Sequence, residues 1–247
     1  MKRFEQNSTN SSVQVNVDPY ADLKGAERAF TIFFAKVGEY RKQVLIGVAI
    51  LLVTTVAVVG WNEYRADQFR KGTIAVEALE KKFLLNPGID IAEKIKQYEE
   101  LSSNYHSESL RIRISKTLGD LYARNGEFAK AGEKLEWAGK KIDELPEIKA
   151  YYFYIAGNYR ESGGQFPQAE SDFDTAVSLL NNRRNVSGFY AWSLYQSGRL
   201  KAKNGKKAEA KENLRKVLEQ ELSSPSDEYK SVRELATYLL VKLNQGS

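Results

Sequence analysis

Few residues in this chain could carry chemistry. One histidine, His106, stands in the polar stretch SSNYHSES, and the 247-residue chain has no cysteine. That removes disulfides, acylation at a cysteine, thiolate nucleophiles and Cys-based zinc sites together. A lone histidine is more often a surface or capping residue than a ligand. A metal site would have to be built from carboxylates alone, and no acidic loop with ligand spacing occurs. GxSxG, Walker A, GxGxxG and HExxH are all absent. The chain is therefore read as a non-enzyme with no cofactor, no metal and no small-molecule substrate.

What remains is binding, and the elements must say to what. The chain is 42% hydrophobic and 28% charged, with a net charge of +5. Lys and Arg are spread among nearly as many Asp and Glu. A nucleic-acid footprint would cluster them on one face, so none is expected. Much of the apolar content lies in residues 44–61. The rest is polar enough to predict a helical domain with a charged surface and no large sheet core.

From Gln43 to Asn62 no residue is charged. A helix of about twenty residues rises about 30 Å, the hydrocarbon thickness of a bilayer. A soluble core helix would show a polar residue every third or fourth position; this run shows only Thr54 and Thr55, hydroxyls that can bond back to the helix. A cleaved export signal fits less well. About forty residues precede the run, and Ala57-Val58-Val59-Gly60-Trp61 is a poor cleavage site. Trp61 and Tyr64 read as interfacial aromatics, so the run is expected to stay as a transmembrane helix, 43–62. Arg41 and Lys42 abut it on one side, with Lys36 close by, and only Arg65 is as near on the other. These nearest charges favour the N-terminus inside; over a wider window Arg70, Lys71, Lys81 and Lys82 even the count.

Before the run, residues 1–17 are polar and predicted disordered. Asp18-Pro19 reads as a helix start. Leu23, Ala26, Phe30, Phe33, Phe34, Val37 and Tyr40 then recur at helical spacing. Two readings of this helix stand: an amphipathic element on the membrane surface or on a membrane partner, or a juxtamembrane spacer.

After the run, three stretches share one pattern. Gly119, Gly157 and Gly198 correspond, as do Gly126, Gly164 and Gly205. Ala131, Ala169 and Ala210 follow, then Leu135, Phe173 and Leu214, then Ala138, Ala176 and Val217. This resembles the tetratricopeptide repeat, a helix pair with small residues where the helices approach closely. In that family the second glycine ends the first helix, the alanine permits close contact, and the large residue fills the gap to the next repeat. Phe128 and Phe166 hold the aromatic position after the turn; Lys207 departs from it. Ser115, Phe153 and Leu194 replace the family's tryptophan. Residues 64–85 and 89–103, separated by Asn86-Pro87-Gly88, are expected to form a degenerate first pair. Ser226 is expected to cap a closing helix that covers the last stacking face.

The tetratricopeptide resemblance implies a peptide groove lined by the first helix of each repeat. Its positions fall on Arg113, Lys116, Asp120 and Arg124, then Tyr151, Tyr154 and Asn158, then Trp192, Tyr195 and Arg199. Such a groove is basic at its start and aromatic toward the C-terminus. Core packing is the expectation for Tyr152, Phe153 and Tyr159. For Tyr151, Tyr154 and Tyr195, packing and binding stand level.

The order of parts, with Phe33-Phe34 before the run and Gly60-Trp61 and Tyr64 after it, resembles the YfgM-type ancillary subunits of the bacterial SecYEG translocon. This resemblance implies an inner-membrane protein with a cytoplasmic tail (1–42), one span (43–62) and a periplasmic repeat domain (63–247). The repeats would cover about 112–145, 150–183 and 191–224, with a capping helix at 227–243. It also implies contact with the translocon and with a membrane-anchored periplasmic chaperone. Phe33, Phe34, Arg41, Lys42, Trp61 and Tyr64 would sit at the membrane interface. The function expected is a membrane-tethered, chaperone-like scaffold for exported clients. The alternative is an envelope-assembly or cell-division adaptor with one fixed protein partner.

Overall fold

The computed structural model describes residues 22–143, 145–183, 188–221 and 226–245. The polar start (1–17) and the Asp18-Pro19 helix start lie outside the described residues. Among the described residues all regular structure is helical, and the chain divides into two units, Met1–Glu63 and Tyr64–Ser247.

The first unit holds α1 (Gly25–Glu39) and the opening part of α2 (Arg41–Leu85). No residue of α1 is buried, and Phe30, Phe33, Phe34 and Tyr40 are exposed. The apolar run lies in α2, which is long and apolar enough to cross a membrane, and none of its most apolar stretch is buried in the protein. Thr54 and Thr55 donate their hydroxyls to the carbonyls of Ile50 and Leu51 at 2.8 Å. No polar group of these two side chains is thus left facing an apolar medium.

The second unit starts with the rest of α2. Then come α3 (Ile91–Asn104), α4 (Glu108–Arg124), α5 (Phe128–Lys141), α6 (Pro146–Ser162), α7 (Phe166–Leu180), α8 (Gly188–Lys203), α9 (Lys207–Glu219) and α10 (Asp227–Gln245). From α3 onward each helix packs on the next. The Asn86-Pro87-Gly88 break separates α2 from α3, and Asp90 caps α3 by accepting from the Ala92 N–H. Phe83 and Tyr98 join the two helices ring to ring, and Lys82 donates to Gln97. Side chains of α2 and α3 thus meet across the break.

The three registered repeats are α4–α5, α6–α7 and α8–α9, and one turn recurs in all of them. Gly126, Gly164 and Gly205 adopt φ of 79°, 76° and 80°. That left-handed conformation is open to glycine at little cost. The following N–H of Glu127, Gln165 or Lys206 reaches back to the carbonyl of Tyr122, Arg160 or Lys201 at 2.8 Å. This closes the first helix and aims the second back along it.

The close approach recurs as well. A Cβ on Gly119 would lie 3.0 Å from Leu135, one on Gly157 2.9 Å from Phe173, and one on Gly198 3.4 Å from Leu214. Ala131, Ala169 and Ala210 are fully buried beside these contacts. Successive repeats, with this turn and this contact at the same positions, make the unit a tetratricopeptide-like helical solenoid. α10 closes it, packing on α8 and α9 through Tyr229, Val232 and Ala236. Ser226 accepts from the Tyr229 N–H at 3.2 Å, and the Tyr229 hydroxyl donates to the Gln220 carbonyl.

Buried ions tie the repeats together. Arg160 on α6 donates to both oxygens of Asp172 on α7, at 2.9 and 2.8 Å, and to Glu136 on α5. Gly132 leaves the room for it, since a Cβ there would stand 2.6 Å from the Arg160 Cγ. Lys201 on α8 donates to Asp174 at 2.5 Å and to Ser197 at 3.0 Å.

Three consequences can be measured on the full chain. Phe173→Ala, which empties a fully buried site, costs roughly 3–5 kcal/mol in denaturant unfolding. Gly164→Ala, which forces a side chain into the left-handed region, costs roughly 1–2 kcal/mol. Burial pushes the Asp172 carboxyl up to about 7, against the pull of Arg160. A carboxyl raised in the folded state contributes stability that is complete below about pH 4 and is lost as pH rises through about 7. Asp172→Asn cannot titrate, so the melting temperature of wild type relative to this variant falls between about pH 4 and about pH 7. A difference that stays level with pH would show that Asp172 is ionised throughout.

Candidate protein-binding face

The first helices α4, α6 and α8 carry every position of the expected groove. Side chains bridge these helices into one face. Tyr159 on α6 donates its hydroxyl to Asp120 on α4 at 2.8 Å. Arg199 on α8 forms a fork with Glu161 on α6, at 2.7 and 2.5 Å. The Phe189 ring of α8 sits 4.8 Å from Tyr154 and 5.8 Å from Tyr151, both on α6.

The aromatic part divides by burial. Tyr152 and Phe153 are buried, as expected of core residues. Tyr154 is half-buried and also contacts Phe173 edge-on, at 5.5 Å. Trp192 and Tyr195 touch each other at 6.1 Å and pack on the core around Tyr190 and Leu194. Tyr151 is the most open of the group at 39% exposure, and Ile148, one turn before it, is open at 44%. The face thus has a packed aromatic floor with Tyr151 and Ile148 standing out of it.

Arg113, Lys116 and Arg199 are held by the fold's own acids. Arg113 donates to both oxygens of Glu80 on α2, at 3.1 and 3.0 Å. Lys116 pairs with Asp120 at 3.2 Å. Burial alone would push the Lys116 ammonium down; the bond to Asp120 more than offsets this and holds it above its ordinary value. Arg124 is exposed. Asn158 spends one N–H on the carbonyl of Tyr154, at 2.9 Å. Burial, joined by the Asp120 bond, pushes the Tyr159 hydroxyl up to about 12, so it stays a donor. A ligand carboxylate would therefore compete with Glu80, Asp120 and Glu161, whereas an apolar or aromatic side chain would meet open surface.

Sequence reasoning missed Phe189, Ile148 and Glu161. Phe189 and Ile148 hold equivalent positions in successive repeats, and Phe189 stands one turn before Trp192; that spacing was the available signal. Nothing local marks Glu161 as the partner of Arg199. Among the described residues no group of three His, Asp or Glu side chains is placed to hold a metal ion.

No protein-family model and no curated protein matches this sequence. Among solved structures, the chain is similar to the nearly identical TPR-like repeats of a kinesin-light-chain protein of Podosopora anserina. The identity is 20%, over 68% of this chain and 83% of that one, with a TM-score of 0.49. It is also similar to MamA, at 21% identity over 70% and 90% with a TM-score of 0.43. BtubC (BKLC) from P. vanneervenii matches at 16% identity over 73% and 90%, with a TM-score of 0.44.

The two kinds of aromatic respond differently to truncation. Tyr154→Ala removes ring contacts to Phe173 and Phe189 and costs roughly 2–3 kcal/mol of stability. Tyr151→Ala stays within about 1 kcal/mol of wild type. Thermal melting of the two variants checks this; equal losses would place Tyr151 in the core.

Proposed function

We propose that this chain is a non-enzymatic, membrane-anchored tetratricopeptide scaffold that binds exported clients and protein partners at the periplasmic face of the Sec translocon. The binding part rests on one observation: an aromatic face spans α6 and α8, and its open residues, Tyr151 and Ile148, have no structural duty comparable to that of Tyr154 or Phe153. Aromatic side chains supply large contact area at low entropic cost and tolerate varied sequences. The cations beside them already have acidic partners, which suits recognition of apolar segments more than of a strongly acidic motif.

The membrane part rests on the exposed apolar stretch of α2 and on the aromatics Trp61 and Tyr64 at its far end. The charges nearest that stretch favour a cytoplasmic α1, with the repeats on the other side. Anchoring would confine the aromatic face near the exit of the translocon and raise its effective concentration there, so weak contacts suffice. The assignment to the translocon rests on the resemblance of Phe33-Phe34, Gly60-Trp61 and Tyr64 to the YfgM-type subunits.

Photocrosslinkers placed at Phe33 and at Tyr151 in native membranes test the reading. The expected products are translocon components from Phe33 and several exported proteins from Tyr151. A single fixed partner from Tyr151 would assign the envelope-adaptor role instead. Absence of any translocon component would sink the proposal.

A further inference from the structure

The closing helix α10 buries Tyr229, Val232 and Ala236 against α8 and α9. Its opposite side carries Leu235, Tyr238 and Val241, exposed at 41%, 68% and 48%. The terminal element of a solenoid normally turns a polar face outward, because nothing stacks on it. Here three large apolar residues occupy that face at helical spacing.

The row is symmetric about Tyr238. Three residues to either side stand Leu235 and Val241. Four residues to either side stand Glu234 and Lys242, opposite in sign and both exposed. In an antiparallel helix pair with a two-fold axis at Tyr238, each residue faces the one at equal distance beyond the axis. Leu235 of one copy then meets Val241 of the other, and Glu234 meets Lys242, twice over. A two-fold interface must be self-complementary in this way.

The surroundings of Lys242 sharpen the match. It lines a cleft of about 360 Å³ with Arg199, Lys203 and Lys207 over an apolar floor of Leu239 and Leu243. The two-fold pairing brings Glu234 of the other copy to Lys242, at the edge of this cleft.

The geometry points to α10 as a homodimer interface, in which two copies of this chain pair antiparallel through the Leu235–Tyr238–Val241 row. A single helix pair buries less than the roughly 800 Å² per partner of a standard interface. The pairing is therefore weak when dilute and strengthens when the chains are concentrated in one membrane. It is independent of what the aromatic face binds.

The chain has no native cysteine, so single cysteines report the pairing in full-length protein reconstituted in vesicles and mildly oxidised. A cysteine on the axis meets its own copy, so Tyr238→Cys yields a disulfide-linked dimer. Thr237→Cys and Asn244→Cys, exposed but off the row, yield about fivefold less, because their Cβ atoms lie too far apart. Leu235→Cys mixed with Val241→Cys crosslinks better than either alone. On the Tyr238→Cys background, Glu234→Lys lowers the yield about threefold. Adding Lys242→Glu restores it, and thermal melting of these charge variants stays at the parent value. Equal yields at 237, 238 and 244, or no restoration by the charge swap, would overturn the two-fold pairing. The latter result would assign the row to a different protein partner.

Discussion

The repeat unit depends on one contact made three times: a glycine on the first helix of a pair under a large apolar side chain from the second. Leu135 covers Gly119, Phe173 covers Gly157 and Leu214 covers Gly198. Each large residue is buried, so the contact excludes water as well as setting how close the helices come. The left-handed glycine of the turn aims the second helix so that this residue arrives over its partner. Because the contact holds two helices rigidly side by side, the first helices of successive pairs can share a face. The aromatic floor of α6 and α8 is a consequence: Tyr154 packs on Phe173, the residue that covers Gly157.

Much of this was legible in the sequence because it rests on local spacing. The glycines, the alanines and the large residues recur in register, and each has a steric reason for its type. The uncharged run at 43–62 and the helix continuing through Leu85 were equally plain, since both follow from apolar periodicity and from the Asn86-Pro87-Gly88 break. What could not be read was the pairing of charges between helices. Arg113 with Glu80 and Arg199 with Glu161 each join residues more than thirty positions apart. A groove that looked basic from its residue types is thus balanced by acids that the fold brings from neighbouring helices. Tyr159 shows the same limit. It packs as core, yet its hydroxyl reaches Asp120 across the repeat boundary.

The departure at Lys207 has a structural reason. In the first two repeats the aromatic after the turn reaches the following repeat: Phe128 approaches Gly163, and Phe166 lies 3.5 Å under the Lys203 ammonium. After the third turn the next helix is α9 and then α10. Lys207 stands instead at the cationic cleft beside Leu239 and Leu243. At this position charge thus stands where the earlier repeats have an aromatic contact, and α10 carries an exposed apolar row. Arg160 bonds Asp172 within its own repeat and Glu136 of the repeat before, and so helps hold the stack in register where a purely apolar seam could slide.

In the proposed function the first-helix face binds while the second helices keep the stack together. Hydrogen exchange on the full chain, isolated with its bound partners and again after they are stripped by salt, separates the two roles. Bound partners are expected to slow exchange in α6 and α8 around Ile148–Tyr159 and Phe189–Arg199, and to leave α5, α7 and α9 unchanged. Protection confined to those second helices, or none at all, would contradict the first-helix face as the binding surface.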